Sequence, residues 1–176
     1  NLRNPPKFIW AHSSAQARDI IGSEEDIDMI ICMYNEQDKE IFPFASRLKD
    51  EGRGIPFILL IHYSKAVRQR VLESPHPGVD FVFSWHGNAD LILAIVKLLE
   101  DAANAENDVF EVGVKGILLV EDSIRYYSNY LPELYKIVLT QSREFLTESL
   151  NDDQKKYRKR SRPKIFLATC LEEAIA

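Results

Sequence analysis

Lys115–Ser123, KGILLVEDS, is an apolar run that ends abruptly in acid. Ile117, Leu118, Leu119 and Val120 have no polar residue alternating through them, with Gly113 and Gly116 in front and carboxylates behind. Such a run suits a parallel strand covered by helices on both faces. Glu121-Asp122-Ser123 follows, and an amphipathic helical pattern starts at Ile124. Two carboxylates at the carboxyl end of a parallel strand stand at the usual ligand crevice of an open α/β sheet. They are hard oxygen ligands with concentrated negative charge, which Mg²⁺ prefers. The plainer role for Glu121 and Asp122 is at the amino end of the next helix, where negative charge is favourable.

Working outward, the same kind of strand recurs. Lys7–His12 (KFIWAH) is β-rich and is followed by Ser13-Ser14 as a helix cap and a short helix over Ala15–Ile21. Asp28–Met33 (DMIICM) and Pro56–His62 (PFILLIH) read as buried strands, with Pro56 first in its strand where it removes no ladder bond. Phe42–Glu51 reads as a helix stopped by Gly52 and Gly54. Lys65–Glu73 reads as a helix, and Val79–Ser84 (VDFVFS) as a strand. Asn88 caps Ala89–Ala103, where Leu91, Ile92, Ile95, Leu98 and Leu99 recur at helical spacing. An acidic linker, Ala105–Glu111, leads to the Ile117–Val120 strand and a long helix in which Pro132 predicts a kink or a restart. A polar stretch, Asn151–Lys164, precedes a last strand, Lys164–Thr169. Strands alternating with helices of this length predict an α/β fold, a doubly wound parallel sheet in three αβα layers.

Composition excludes several classes. Of the 176 residues, 45% are hydrophobic, ample for a packed core. A net charge of −5 gives no general attraction to nucleic acid or anionic membrane. Two cysteines in apolar surroundings, Cys32 and Cys170, do not make a disulfide framework or a metal site. No apolar run reaches membrane-spanning length and no signal peptide is visible, so a cytoplasmic protein is expected. The chain opens abruptly on Asn1 and stops within a helical pattern at Ala176, as an excised piece of a longer protein would.

ILLVEDS resembles the first strand of response-regulator (CheY-like, flavodoxin-like) receiver domains, whose acidic pair binds the Mg²⁺ used in aspartyl phosphorylation. Lys7–Ser84 is similar to receiver strands two to five in order, and Ala89–Ala103 to the last helix. Pro6–His12 also matches Pro163–Thr169 in pattern, an internal repeat. The resemblance therefore implies two tandem units: residues 1–104 as a degenerate receiver without its first strand and helix, 105–112 as linker, and 113–176 as the opening of a second receiver. In the first unit Met33 stands where the phosphoacceptor Asp belongs, Ile61-His62 where Ser or Thr belongs, and Ser84-Trp85-His86 where Lys belongs. The resemblance thus implies a pseudo-receiver without a phosphoacceptor, and a weak Mg²⁺ site at Glu121 and Asp122 in the second unit. It also implies a non-enzymatic segment of a bacterial two-component phosphorelay, with protein partners such as other domains of a longer chain or a histidine kinase system. The extended helix is similar to the front region of large bacterial proteins of the pyruvate-phosphate-dikinase and phosphoenolpyruvate-synthase type, although no residue here belongs to their nucleotide-binding domain. The competing class is an enzyme part that binds a nucleotide or flavin at the crevice of a flavodoxin-like sheet.

Other candidates weigh less. His12, His62 and His86 each follow a strand end, so a shared metal or phosphate crevice is conceivable, though solvated loop histidines are commoner. The basic run Lys155–Lys164 has one tyrosine in an acidic chain, which favours a solvated loop or an electrostatic docking surface over nucleic-acid binding. Cys32 reads as a buried small hydrophobe. No glycine-rich phosphate loop or Gly-x-Ser-x-Gly elbow is present. In the receiver order 2-1-3-4-5 the opening strand lies between strands two and three. Ile117–Val120 is therefore expected to fill that gap beside Phe8–His12 or Asp28–Met33, within one chain or by strand exchange in a homodimer.

Overall fold

A computed structural model describes residues 7–23, 26–62, 76–147 and 162–175, together with 64, 67, 69 and 71. Among the described residues the chain is mixed α/β, with two short sheets of three and two strands. It divides into two compact units within a strand, Asn1–Phe83 and Ser84–Ala176. No helix among the described residues is long and apolar enough to cross a membrane.

In the first unit, helix α1 (Ser14–Gly22) starts where the serine pair suggested: the Ser13 hydroxyl accepts from the Gln16 N–H. Strand β1 (Ile30–Met33) pairs in parallel with β2 (Phe57–His62), Ile30 opposite Phe57 and Met33 opposite Leu60. Strand β3 (Phe81–Trp85) lies on the other side of β2. The central position suits an all-apolar run: Phe57, Ile58, Leu59, Leu60 and Ile61 are all buried. Pro56 has no N–H to offer, but its carbonyl accepts from Ile30. Helix α2 (Ile41–Asp50) covers the sheet with Ile41, Phe44, Ala45 and Leu48 and ends before Gly52, which turns the chain at a φ of +68°. A methyl group at Gly78 would overlap the backbone of Ala45 and Ser46, so only glycine lets that loop approach α2.

Lys7–His12 does not form the expected strand. It is irregular, and Phe8, Ile9 and Trp10 are exposed at 61%, 38% and 78%. No described strand runs beside it, and β propensity without a ladder to join does not make a strand. The expected helix Lys65–Glu73 and the basic run up to Ser161 lie largely or wholly outside the described residues.

The second unit is built on helix α3 (Ala89–Ala103), capped by the Asn88 side chain, which accepts from Asp90 N–H. The expected linker is instead a wide helical turn, Glu106–Glu111, closed by a bond from Val112 N–H to the Asn107 carbonyl. Strand β4 (Gly116–Val120) pairs in parallel with β5 (Lys164–Ala168), joined by the long helix α4 (Ile124–Thr147); a short helix α5 (Leu171–Ile175) follows. Pro132 neither ends nor restarts α4, which is continuous through it. Helix α3 packs against α4 and β5. Ile124, Tyr127, Leu131, Tyr135 and Val138 of α4 recur at helical spacing and are buried, with Leu91, Ala94, Ile95 and Leu98 of α3 and Ile165 of β5.

The gap-filling expectation fails within the chain. Ile117–Val120 pairs with β5, residue for residue from Gly116 opposite Lys164, and with neither Phe8–His12 nor Ile30–Met33. The β4–α4–β5 unit closes on the next strand in sequence, the usual neighbour in a sheet.

Candidate functional site

The carboxyl end of β4 carries the acidic pair. Glu121 extends the ladder, its N–H donating to the Ala168 carbonyl, and its half-exposed carboxylate accepts from Ser123 N–H at 3.0 Å. Ser123 then opens α4, its carbonyl accepting from Tyr126 and Tyr127. One Glu121 oxygen is therefore spent on the helix start, as the plainer reading has it, while Asp122 is exposed. Among the described residues no group of three or more histidines, cysteines, aspartates and glutamates is placed to hold a metal. Two carboxylates, one of them half-used, suit Mg²⁺ only as an ion that keeps most of its waters.

The carboxyl end of β5 is held by its own carboxylate. Thr169 donates to Glu173 through both N–H and hydroxyl, at 2.6 and 2.9 Å. These bonds hold the Glu173 carboxyl below its ordinary range. Burial, with Glu173 adding to it, pushes the Tyr127 hydroxyl well above its own.

In the first unit, the carboxyl ends of β1 and β2 open on a cleft of about 510 Å³ lined by Met33, Tyr34, Asn35, Glu36, Gln37, His62 and Val67. Met33 ends β1 and is 39% exposed, and His62 ends β2 and is exposed. The Cys32 thiol just behind them is pushed up to about 11 by burial and by Asp38, so it is a poor nucleophile. Among the described residues the histidines are not part of a group placed to hold a metal. His12 follows no strand, and His86 bonds the Ser84 hydroxyl through Nε2 at 3.0 Å. The remaining histidine, His76, lies flat on the Phe42 ring at 3.6 Å.

No protein-family model, curated protein or solved structure matches the chain.

The most elaborate polar arrangement is at the opposite, amino end of the β4–β5 pair. Asp101, fully buried on α3, receives the Arg162 fork at 2.5 and 2.9 Å, the Ile165 N–H at 3.0 Å and the Tyr135 hydroxyl at 3.1 Å. Lys164 stands 3.8 Å from Asp101 and 2.5 Å from Asp108 on the wide turn. Two carboxylates face two cations, so the buried group is neutral overall. Burial works against the charge on Arg162, yet Asp101 holds its pKa above the ordinary range; burial first and Asp101 second push the Tyr135 hydroxyl up. Arg162 and Lys164 belong to the basic run expected to be a solvated loop or a docking surface; these two residues are instead buried ion-pair partners. The clue was in the sequence: Asp101 continues the Leu91, Ala94, Leu98 stripe, and an acid on an apolar stripe needs a cation.

Proposed function

We propose that the chain is a regulatory segment of receiver type that is not an enzyme, acts through protein–protein contacts in two-component signalling, and is not phosphorylated within these residues. The observation that carries the reading is the chemistry at the carboxyl ends of β1 and β2. A phosphoryl-accepting crevice needs a carboxylate there and a hydroxyl beside it; Met33 and His62 occupy those ends. Support also comes from the strand order. Consecutive neighbours β1-β2-β3 match receiver strands three, four and five, and parallel β4-β5 match strands one and two. On this reading the two sheets are parts of doubly wound, flavodoxin-like αβα units. Partners are other domains of a longer chain or a histidine kinase system, and Glu121 and Asp122 are a weak Mg²⁺ site.

The cleft beside Met33 favours a second reading, a flavodoxin-like part of an enzyme that binds a nucleotide or flavin. Tyr34 lines the cleft, and its ring centroid is 6.1 Å from that of Phe42, so an aromatic face is at hand for a planar ring. A thermal-shift series with Mg²⁺, ATP and FMN separates the two readings. The regulatory reading expects no shift, or a shift with Mg²⁺ alone. A saturable rise in melting temperature with FMN or ATP would replace it with the enzyme reading.

A further inference from the structure

Strand β4 is half-covered. Gly116, Leu118 and Val120 are exposed, the last two at 50% each, while Ile117 and Leu119 are partly buried. That is unusual for an all-apolar parallel strand, which is ordinarily covered on both faces. Its second edge carries no strand among the described residues. The hydrogen bonds show which groups face that edge. The Lys115 carbonyl accepts from Lys164 N–H, and Glu121 N–H donates to the Ala168 carbonyl. Because backbone groups alternate sides along a strand, odd-numbered residues bond β5, and the N–H and C=O of Gly116, Leu118 and Val120 point away from it. An apolar edge with free backbone groups is a template for another strand.

The sequence of this edge is complementary to itself. In an antiparallel pair of two β4 strands centred on Leu118, Leu118 faces Leu118 of the second copy and Gly116 faces Val120. These are hydrogen-bonded positions, so every outward N–H and C=O of the three residues finds a partner. Lys115 then lies opposite Glu121, and Glu121 opposite Lys115, an ion pair at each end of the ladder. The small Gly116 leaves room for Val120, and the Phe166 ring on β5 already lies against Gly116, about where a side chain would begin. A parallel pairing with β1 of a second copy lacks this match: no basic residue stands in Tyr34-Asn35-Glu36, beyond the end of β1, to face Glu121-Asp122.

We infer that β4 is a homodimer interface: two chains join their β4 edges antiparallel across a two-fold axis, giving a continuous sheet β5-β4-β4-β5. The pairing rests on β4 and its flanking charges; it is an alternative to the third strand that the receiver order 2-1-3-4-5 of the regulatory reading would place on this edge.

Charge reversal in the full-length chain is the test, read by sedimentation equilibrium over a concentration series. Wild type dimerises. Lys115→Glu and Glu121→Lys each place like charges opposite at both ends and raise the dimer dissociation constant about tenfold. The double variant, with the charges exchanged, returns it to near the wild-type value. In a Cys170→Ser background, Leu118→Cys forms a disulfide-linked dimer under mild oxidation, its Cα facing its own copy at about 5.5 Å. Val120→Cys does not, because the two copies of that residue lie roughly 13 Å apart along the ladder. A wild-type monomer at every concentration, a dimer indifferent to both single reversals, or cross-linking at Val120 rather than Leu118 would overturn the inference.

Discussion

The two ends of the β4–β5 pair are built from the same residue types and use them in opposite ways. At the amino end, Asp101 and Asp108 are covered and matched by Arg162 and Lys164, with a backbone N–H and a tyrosine hydroxyl taking up the remaining capacity of Asp101. At the carboxyl end, Glu121 spends one oxygen on the start of α4 and Asp122 faces water. A buried carboxylate is tolerable only when paired and fully hydrogen-bonded, so the amino-end charges tie α3, α4, β5 and the wide turn together. Exposed carboxylates contribute little to the fold and are left available for a ligand, a metal or another chain. The crevice of a parallel sheet lies at the carboxyl end, so the division matches what α/β sheets generally do.

Substitutions can break this contrast. Asp101→Ala leaves the Arg162 guanidinium buried without its partner, and urea denaturation should show a loss of about 3–5 kcal/mol. A loss no larger than that of an ordinary surface substitution would mean the cluster is not the tie described. Tyr135→Phe removes one hydrogen bond to a charged group from the same cluster and should cost about 1.5–3 kcal/mol, with the ring still filling its place. At the other end, Glu121→Gln with Asp122→Asn should change stability by no more than about 0.5 kcal/mol. The same pair of changes should abolish whatever Mg²⁺ binding calorimetry detects in wild type, expected at millimolar strength, on the order of −4 kcal/mol. Binding unchanged by the double substitution would place the metal elsewhere.

The smallest expected effect is a pH dependence at the carboxyl end of β5. The folded pKa of Glu173 lies below its ordinary 4.5, so its contribution is in place above that pH and fades as pH falls towards the folded value. Glu173→Gln should flatten that part of the acid limb in melting temperature against pH and leave the neutral region as it was. An acid limb identical to wild type would remove Glu173 from the account.

Much of this fold was legible in the sequence, and the failures have physical causes. β1, α2, β2, α3, β4 and β5 fall within a residue or two of their expected places, because apolar runs and helical stripes report local burial directly. Lys7–His12 failed because strand formation depends on a neighbour that local composition does not specify. The pairing of β4 failed for a related reason: filling the gap in the first unit named its neighbour, and the next strand in sequence, reached through the long helix α4, supplied a different one. The acidic pair was visible at once because it interrupts a hydrophobic run. The Asp101 cluster was not, since its members are 61 residues apart in the Asp101–Arg162 pair and only packing of α3 against β5 brings them together. Arg162 in particular looks like the end of a solvated basic run until the buried acid it meets is known.

The central proposal is that Met33, standing at the end of β1, leaves this chain without a phosphoacceptor. Intact-mass spectrometry of the full chain, after incubation with acetyl phosphate and Mg²⁺ at neutral pH, tests it most directly. The account expects the unmodified mass alone, with Met33 at the end of β1 and no carboxylate in its place. A phosphoryl adduct that hydroxylamine removes, mapped by peptide digestion to an aspartate or glutamate of this chain, would contradict it.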